Sequence, residues 1–243
     1  MTDYFISDLH LEASRAPVAE AFFRFVEQTV IPEAPSNKLY ILGDFFDAWI
    51  GDDDDNPLAL NVQQKLLSYT QAGLSLYFQH GNRDFLVGAQ FAQATGAQLL
   101  PEEHVIQLAD RSALLMHGDS LCIDDEAYMQ FRAQVRNPAW QQQILQLPLE
   151  QRRLMAQQLR AQSQSMNAMK AEDIMDVNAE EVTAALLRHD VITLIHGHTH
   201  RPAVHDIDVN GNKAQRLVLG DWGENAWFIK ADSEGLTLHH FAI

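Results

Sequence analysis

Short apolar runs alternate with segments of helical periodicity through most of the chain, and closely spaced strands follow. Apolar residues fill 2–7, 38–43, 74–79, 112–117 and 191–195, each run bounded by polar residues or glycine. Runs of this length without polar alternation predict strands buried on both faces, as in a largely parallel sheet. Between the early runs, 18–30 and 57–72 repeat at helical spacing and would supply the crossovers that parallel neighbours require. Pro57 suits a first helical turn and Gly73 a stop. From 203 onward the runs near 203–209, 215–219, 225–230 and 236–241 are separated by Asn210-Gly211-Asn212, Gly220-Asp221 and Ser233-Glu234-Gly235. That spacing predicts antiparallel strands and turns. The expected fold class is α/β, with two mixed β-sheets packed face to face and flanked by helices.

One stretch departs from this pattern. Residues 127–171 hold six of the 17 basic residues (Arg132, Arg136, Arg152, Arg153, Arg160, Lys170) but one of the 33 acidic ones, Glu150. Met129, Met155, Met166 and Met169 fall among its glutamines, and Pro138 and Pro148 stand at candidate helix starts. Tyr128, Phe131 and Val135, then Leu145, Leu149, Met155 and Leu159, form candidate apolar stripes. Asn178 with Glu181 predicts the next helix start as a capping box. Residues 124–175 are therefore expected to form a helical lid inserted within a single domain spanning 1–243.

Composition narrows the function. A chain of 243 residues with 47% hydrophobic residues can bury a substantial core. A net charge of −16 opposes non-specific binding to nucleic acid. The single cysteine, Cys122, excludes an internal disulfide and suits a reducing compartment. The chain enters directly as a strand (Tyr4-Phe5-Ile6), with no signal-like stretch and no membrane-spanning apolar run, so a cytoplasmic location is expected.

Five motifs carry the chemistry: Asp8-Leu9-His10, Gly43-Asp44-Phe45-Phe46-Asp47, Gly81-Asn82-Arg83-Asp84, His117-Gly118-Asp119 and Gly197-His198-Thr199-His200. Most follow a predicted strand, and side chains at the carboxyl ends of parallel strands converge on one crevice. Carboxylate, carboxamide and imidazole donors suit Mn²⁺, Fe²⁺ or Zn²⁺ rather than Ca²⁺ or an iron–sulfur cluster. Asp44 is the best candidate to bridge two ions roughly 3.5–4 Å apart. Asp8, His10 and one C-terminal histidine would complete one shell, and Asn82, His117 and the other C-terminal histidine the second. Such a pair lowers the pKa of water and clamps a phosphoryl oxygen.

These motifs resemble the signature of the calcineurin-like metallophosphoesterases: D-x-H, G-D-x-x-D, G-N-[H/R]-[D/E], a later His, and G-H-x-H. Longer stretches are similar to the branch of that family acting on UDP-2,3-diacylglucosamine in the lipid A pathway of Gram-negative bacteria. They are Ile6 to Leu11, Leu39 to Asp53, His80 to Leu86, Met116 to Asp125, Ile174 to Asn178 and Ile195 to His205. The resemblance covers essentially the whole chain and implies an αββα sandwich with a lid. It implies Mn²⁺-dependent attack of water on the α-phosphate, giving UMP and 2,3-diacylglucosamine 1-phosphate (lipid X), at the inner-membrane surface. It places one Mn²⁺ on Asp8, His10, Asp44 and His200, and a second on Asp44, Asn82, His117 and His198. Substrate contacts fall on Asn82, Arg83, Asp125, Ser163, Asn167, Lys170 and His198, with Asn82, Arg83 and His198 as the catalytic group. Many relatives carry His where Arg83 stands. Arginine stays protonated and cannot act as a general acid, but it can neutralise developing phosphoryl charge. A diphosphate substrate, whose leaving group is a stable anion, fits that departure.

Plainer assignments apply elsewhere. His80, His104, His189, His196, His205, His239 and His240 are expected to be structural, and Cys122 a small buried thiol. Asp52 to Asp55 are expected to form a solvated loop, and Asp47, Asp84 and Asp119 to orient ligands rather than coordinate. Tyr128 and Phe131 fit either core packing or contact with an acyl chain. The basic segment fits a solvated helix face or a surface that docks peripherally on an anionic leaflet. Other phosphoester substrates, or a scaffold that has lost catalysis, are the competing functions.

Overall fold

The computed structural model describes residues 2–33, 37–109, 111–167 and 176–243, with only the backbone of residues 33 and 162–167. The first sheet takes strands β1 (Asp3–Ile6), β2 (Lys38–Leu42), β3 (Ser75–Gln79) and β4 (Gln98–Leu99) from the first half. The second takes β5 (His104–Gln107), β6 (Ser112–Leu115) and β7 (Thr193–His196). The tail splits between them. Strands β8 (Ala203–Val209) and β9 (Asn212–Val218) join the second sheet, in the order β5-β6-β7-β9-β8. Strands β10 (Asn225–Asp232) and β11 (Gly235–Ala242) extend the first, in the order β11-β10-β1-β2-β3-β4.

Strands β1 to β3 are parallel, with Tyr4 beside Leu39 and Leu39 beside Leu76. Strands β6 and β7 are also parallel, with Leu115 beside Ile195. Alternate side chains of these apolar runs serve different layers, because successive Cβ atoms leave a strand on opposite faces. Tyr4, Ile6, Leu39, Ile41 and Phe78 pack outward with Phe22, Phe25, Val62 and Leu66. The last four belong to helices α1 (Ala16–Phe25) and α2 (Pro57–Gln71). Phe5, Tyr40, Leu42, Leu115, Ile195, Leu217 and Ile229 fill the space between the sheets. Leu114, Leu194, Val182 and Leu186 form a third layer. Both sheets are therefore covered on both faces, and the arrangement is the two-sheet, helix-flanked fold that the patterning predicts.

Boundaries differ in a few places. The pattern over 18–30 predicts one helix, but α1 ends at Phe25 and a π-turn, Val26–Val30, continues it. Strand β4 and the short helix α3 (Ala89–Thr95) have too few residues to show a period. Pro57 does open α2 behind the Asn56 side chain, which accepts from Leu58 N.

Between a short turn at Asp119–Leu121 and the last helix, the chain forms α4 (Glu126–Val135), α5 (Pro138–Leu145) and α6 (Leu149–Asn167). Helix α7 (Ala179–His189) then opens on Asn178, whose side chain accepts from Glu180 N and Glu181 N. Most of 126–167 falls in these helices, residues 168–175 lie outside the described residues, and the contacts of the helices differ from the expectation for the acidic run. The acidic run Asp52–Asp55, expected to be a solvated loop, receives the arginines of α6. Arg152 donates to both Asp53 oxygens at 2.7 and 2.5 Å, and Arg153 to Asp54 at 2.7 Å and to Asp55. Opposite charges concentrated in two stretches meet in space, which the pattern of either stretch alone does not disclose.

Asp52 has a different task. Its carboxylate accepts from Gly88 N, Gln90 N and Phe91 N at 2.9–3.0 Å, capping α3, and from Trp49 Nε1 at 3.0 Å. Removing a cap of this kind costs about 0.5–2 kcal/mol. Asp52→Ala is expected to lower unfolding stability within that range in urea titration, and an unchanged midpoint would refute the capping role.

Candidate two-metal site

The seven candidate metal ligands lie two to four positions beyond a strand: Asp8 and His10 after β1, Asp44 after β2, Asn82 after β3, His117 after β6, and His198 and His200 after β7. The parallel sense of β1–β3 and of β6–β7 brings these ends to common edges, and face-to-face packing of the sheets brings the edges together. Backbone bonds lock the loops to one another. Asp8 N donates to Gly43 O at 3.1 Å, His10 N to Asp44 O at 3.0 Å, and Gly197 N to His117 O at 2.9 Å.

Backbone strain marks the same residues. Of the seven non-glycine residues with positive φ among those described, five are Asp8, His10, Asp44, His198 and His200. Left-handed backbone at a side-chain-bearing residue costs of order 1–3 kcal/mol and persists where the surroundings impose it. Gly81 allows a close approach: a Cβ there would overlap the Asp44 carboxylate and its backbone nitrogen. Asp84 holds the Asp44 loop by accepting from the backbone N–H groups of Asp44, Phe45, Phe46 and Gly81.

Two groups of donors result. In one, Asp8 Oδ1 lies 3.3 Å from His200 Nε2 and 3.9 Å from His10 Nε2, while His10 Nδ1 lies 4.0 Å from Asp44 Oδ2. In the other, Asp44 Oδ1 lies 3.7 Å from His117 Nε2, and Asn82 Oδ1 lies 2.9 Å from both His117 Nε2 and His198 Nδ1. Asp44 faces both groups.

The chemistry of this set calls for cations. His117 Nδ1 donates to Leu42 O at 2.8 Å, so the Nε2 lone pair of a neutral ring points at the Asn82 oxygen. Two acceptors at that distance require a proton or a metal ion between them. His10 Nδ1 is buried with no hydrogen-bond partner, and the buried Asp8 Oδ1 faces the His200 and His10 imidazoles. The protein alone compensates with protons. Burial would lower His117, but Asp44 and Asp8 raise it above its ordinary value. Burial would likewise lower His200, yet its hydrogen bond to Asp8 and that carboxylate's charge push it up to about 9. Burial pushes Asp44 up to about 7 and holds His10 and His198 down at about 3, uncharged and fit to ligate. Each group thus holds one histidine whose affinity for a proton is raised where a cation would sit.

The remaining predicted residues separate clearly. Arg83 lines a cleft of about 180 Å³ between the insertion and the core, together with Asn82. Asp125 caps α4, accepting from Tyr128 N at 3.1 Å. The side chains of Ser163 and Asn167, and the whole of Lys170, lie outside the described residues. Asp47 pairs with Arg160 at 2.5 Å, and Asp119 with Arg132 at 2.9 Å. His196 is buried with Nδ1 2.8 Å from Gly197 O, His80 bonds Val87 O at 2.7 Å, and His189 pairs with Glu103. Burial pushes the Cys122 thiol up to about 12, which leaves it inert. Trp49, Phe85 and Ile144 also line the cleft, although no motif marks them in sequence. Their apolar character does not distinguish them from core residues.

The sequence profile of the calcineurin-like phosphoesterases matches residues 1–202. The chain therefore belongs to that family of phosphoesterases, which use divalent metals, and within it to the group of the UDP-2,3-diacylglucosamine hydrolases. The protein of that name from Cellvibrio japonicus is 53% identical over 243 residues, covering 100% of both chains. The one from Serratia proteamaculans is 48% identical, covering 99% of each. An archaeal phosphodiesterase of known structure shares the fold, with a TM-score of 0.50 at 11% identity over 100% of both chains.

Metal uptake should be coupled to protons. Ligands must be deprotonated to bind, so a His200 held at about 9 has to release its proton at neutral pH. Metal affinity is expected to rise from pH 6.5 to 9, by up to about tenfold per unit for each proton released. In metal-free protein the sign reverses. The raised His200 adds stability that is fully present below its ordinary value of 6.5 and is lost as pH rises through about 9. Calorimetry in buffers of different ionisation enthalpy measures the released protons, and binding without proton release would contradict the assignment.

Proposed function

We propose that the chain hydrolyses the diphosphate of UDP-2,3-diacylglucosamine, giving UMP and 2,3-diacylglucosamine 1-phosphate, with two Mn²⁺ held by Asp8, His10, Asp44, Asn82, His117, His198 and His200. The observation that carries this reading is the cleft. Its lining combines Asn82 and Arg83 with the apolar Phe85, Trp49, Phe131 and Leu159 and with Tyr128. A ligand that joins a diphosphate to an acyl chain matches that mixture of side chains. Divalent ions bound in the two shells would supply Lewis acidity and lower the pKa of a water molecule.

The chain's own residues do the rest. The oxygen of water forms a bond to the α-phosphorus, and the bond from that phosphorus to the bridging oxygen breaks. The electron pair leaves on the sugar 1-phosphate, and the water proton passes to solvent. Arg83 provides a permanent cation beside the reacting group and no proton, which suits a leaving group that is a stable anion. Asn82 and His198 position the phosphoryl group, and Asp125, Ser163, Asn167 and Lys170 are further substrate contacts. Tyr128 and Phe131 line the cleft, which favours acyl contact over simple core packing. The chain works at the cytoplasmic face of the inner membrane, where the diacyl substrate resides. No helix among the described residues is long and apolar enough to cross a membrane.

Hydrolysis in ¹⁸O-labelled water is the direct test. Label is expected in UMP, and label in the sugar phosphate would move the attack to the β-phosphorus. Mn²⁺-supplemented turnover of UDP-2,3-diacylglucosamine should far exceed that of a chromogenic phosphodiester, and equal turnover would remove the substrate assignment. Arg83→Ala is expected to reduce kcat by about 10²–10³-fold, the scale for losing one preorganised charge-stabilising group. Arg83→His should retain little diphosphatase activity and gain monoesterase activity. Intact diphosphatase activity without that gain would defeat the leaving-group argument.

A further inference from the structure

We propose that Asp119 is a positioning residue that makes the seating of α4 and the shape of the Asn82–His117–His198 shell a single event. The proposal rests on the two-ion reading of the site and adds the means by which the insertion governs one of the two positions. Asp119 stands two residues beyond His117 and is 1% exposed. Its Oδ2 accepts from Tyr128 Oη at 2.8 Å and Arg132 Nε at 2.9 Å, and Arg136 Nη2 lies 3.6 Å away. The three donors are spaced four residues apart and so share one face of α4.

Contacts return from that face to the shell. Arg136 Nη2 donates to Gly81 O at 2.9 Å, on the residue before Asn82. Asn82 Oδ1 faces His117 Nε2 and His198 Nδ1, each at 2.9 Å. The Tyr128 ring lies 5.7 Å from the His198 ring. Asn82, His117 and His198 are thus each tied to the Asp119–α4 unit, one through its backbone neighbour, one along the chain and one through a ring. Asp8, His10 and His200 contact one another and Ser7, and they meet the other shell at Asp44 and at His198 N, which donates to Asp8 Oδ2 at 2.9 Å. Helix α4 also lends Tyr128 and Phe131 to the cleft, so cleft occupancy and occupancy of this one shell favour each other by a common factor.

Mn²⁺ binding to the full chain, followed by electron paramagnetic resonance of the free ion, separates the positions without using turnover. Wild-type protein is expected to bind two ions. Asp119→Asn keeps an acceptor oxygen and removes the charge. It should bind one ion as wild type does and the other about 10–100-fold more weakly, the scale for losing a partner that orients ligands. Arg136→Met leaves Tyr128 and Arg132 on Asp119 and cuts the link to Gly81, and it should weaken the same ion. Trypsin should cut faster after Arg132 in Asp119→Asn. Wild-type affinity for both ions in both variants overturns the proposal, as does equal weakening of both ions, which marks a purely structural role. If Asp119→Asn does not fold, Arg136→Met decides alone. A single ion bound by wild-type protein overturns the two-ion reading and this inference together, so the two failures are distinguishable.

Discussion

Burial of two carboxylates at the meeting point of two sheets is the constraint around which this structure is built. Asp8 and Asp44 are 0% and 2% exposed, and taking such charges out of water costs several kcal/mol each unless they are compensated. Asp8, Asp44 and Asn82 come from the six-stranded sheet, whereas His117, His198 and His200 come from the five-stranded one. Neither sheet holds a complete donor set, so the interior layer of Phe5, Tyr40, Leu42, Leu115 and Ile195 also sets the geometry of the site. Five of the candidate ligand residues adopt positive φ, so the loops that carry them are bent there. Bound cations would offset both costs, and the raised proton affinity of His117 and His200 does so in part.

A second charge arrangement holds the insertion over this centre. Arg152 is 3% exposed and donates to Leu147 O, Ile50 O and both oxygens of Asp53. Its guanidinium passes where a Cβ on Gly51 would stand, at a φ of +135° that favours glycine. A buried arginine with every neighbour an acceptor is tolerated, whereas loss of its partner leaves an uncompensated charge. Arg160 adds bonds to Glu12 at 2.8 Å and Asp47 at 2.5 Å. The α6 end of the cleft is thereby fixed to the core by ion pairs, while its walls stay apolar.

The strands and motifs were legible because their signals are local. An apolar run ending in Gly-Asp or Gly-Asn states both the strand and the ligand after it. Helices α4 to α6 were legible as well, through helical spacing and the prolines near two of their starts. Pairing between distant stretches was not. Asp52–Asp55 has the composition of a solvated loop, and only the folded chain shows one carboxylate capping α3 and three others facing Arg152 and Arg153. Trp49, Phe85 and Ile144 carry no mark that separates a cleft wall from a core, since either role needs only an apolar side chain. The π-turn after α1 escaped notice because its residues keep helical periodicity.

The same pairing changes what the basic insertion can do at a membrane. A cluster of arginines in a chain of net charge −16 suggests a patch aimed at anionic lipid. In the fold, Arg132, Arg136, Arg152, Arg153 and Arg160 instead face Asp119, Glu102, Gly81 O, Asp53, Asp54, Glu12 and Asp47. Their charge is largely spent within the protein, and the acidic remainder is repelled by an anionic leaflet over about 8 Å at physiological salt. Attraction to such a surface must then come from apolar groups. Leu145 and Leu154 of the insertion are 43% and 59% exposed and lie on the helices that wall the cleft. The proposed association with a membrane surface would then depend on hydrophobic burial and be little weakened by salt.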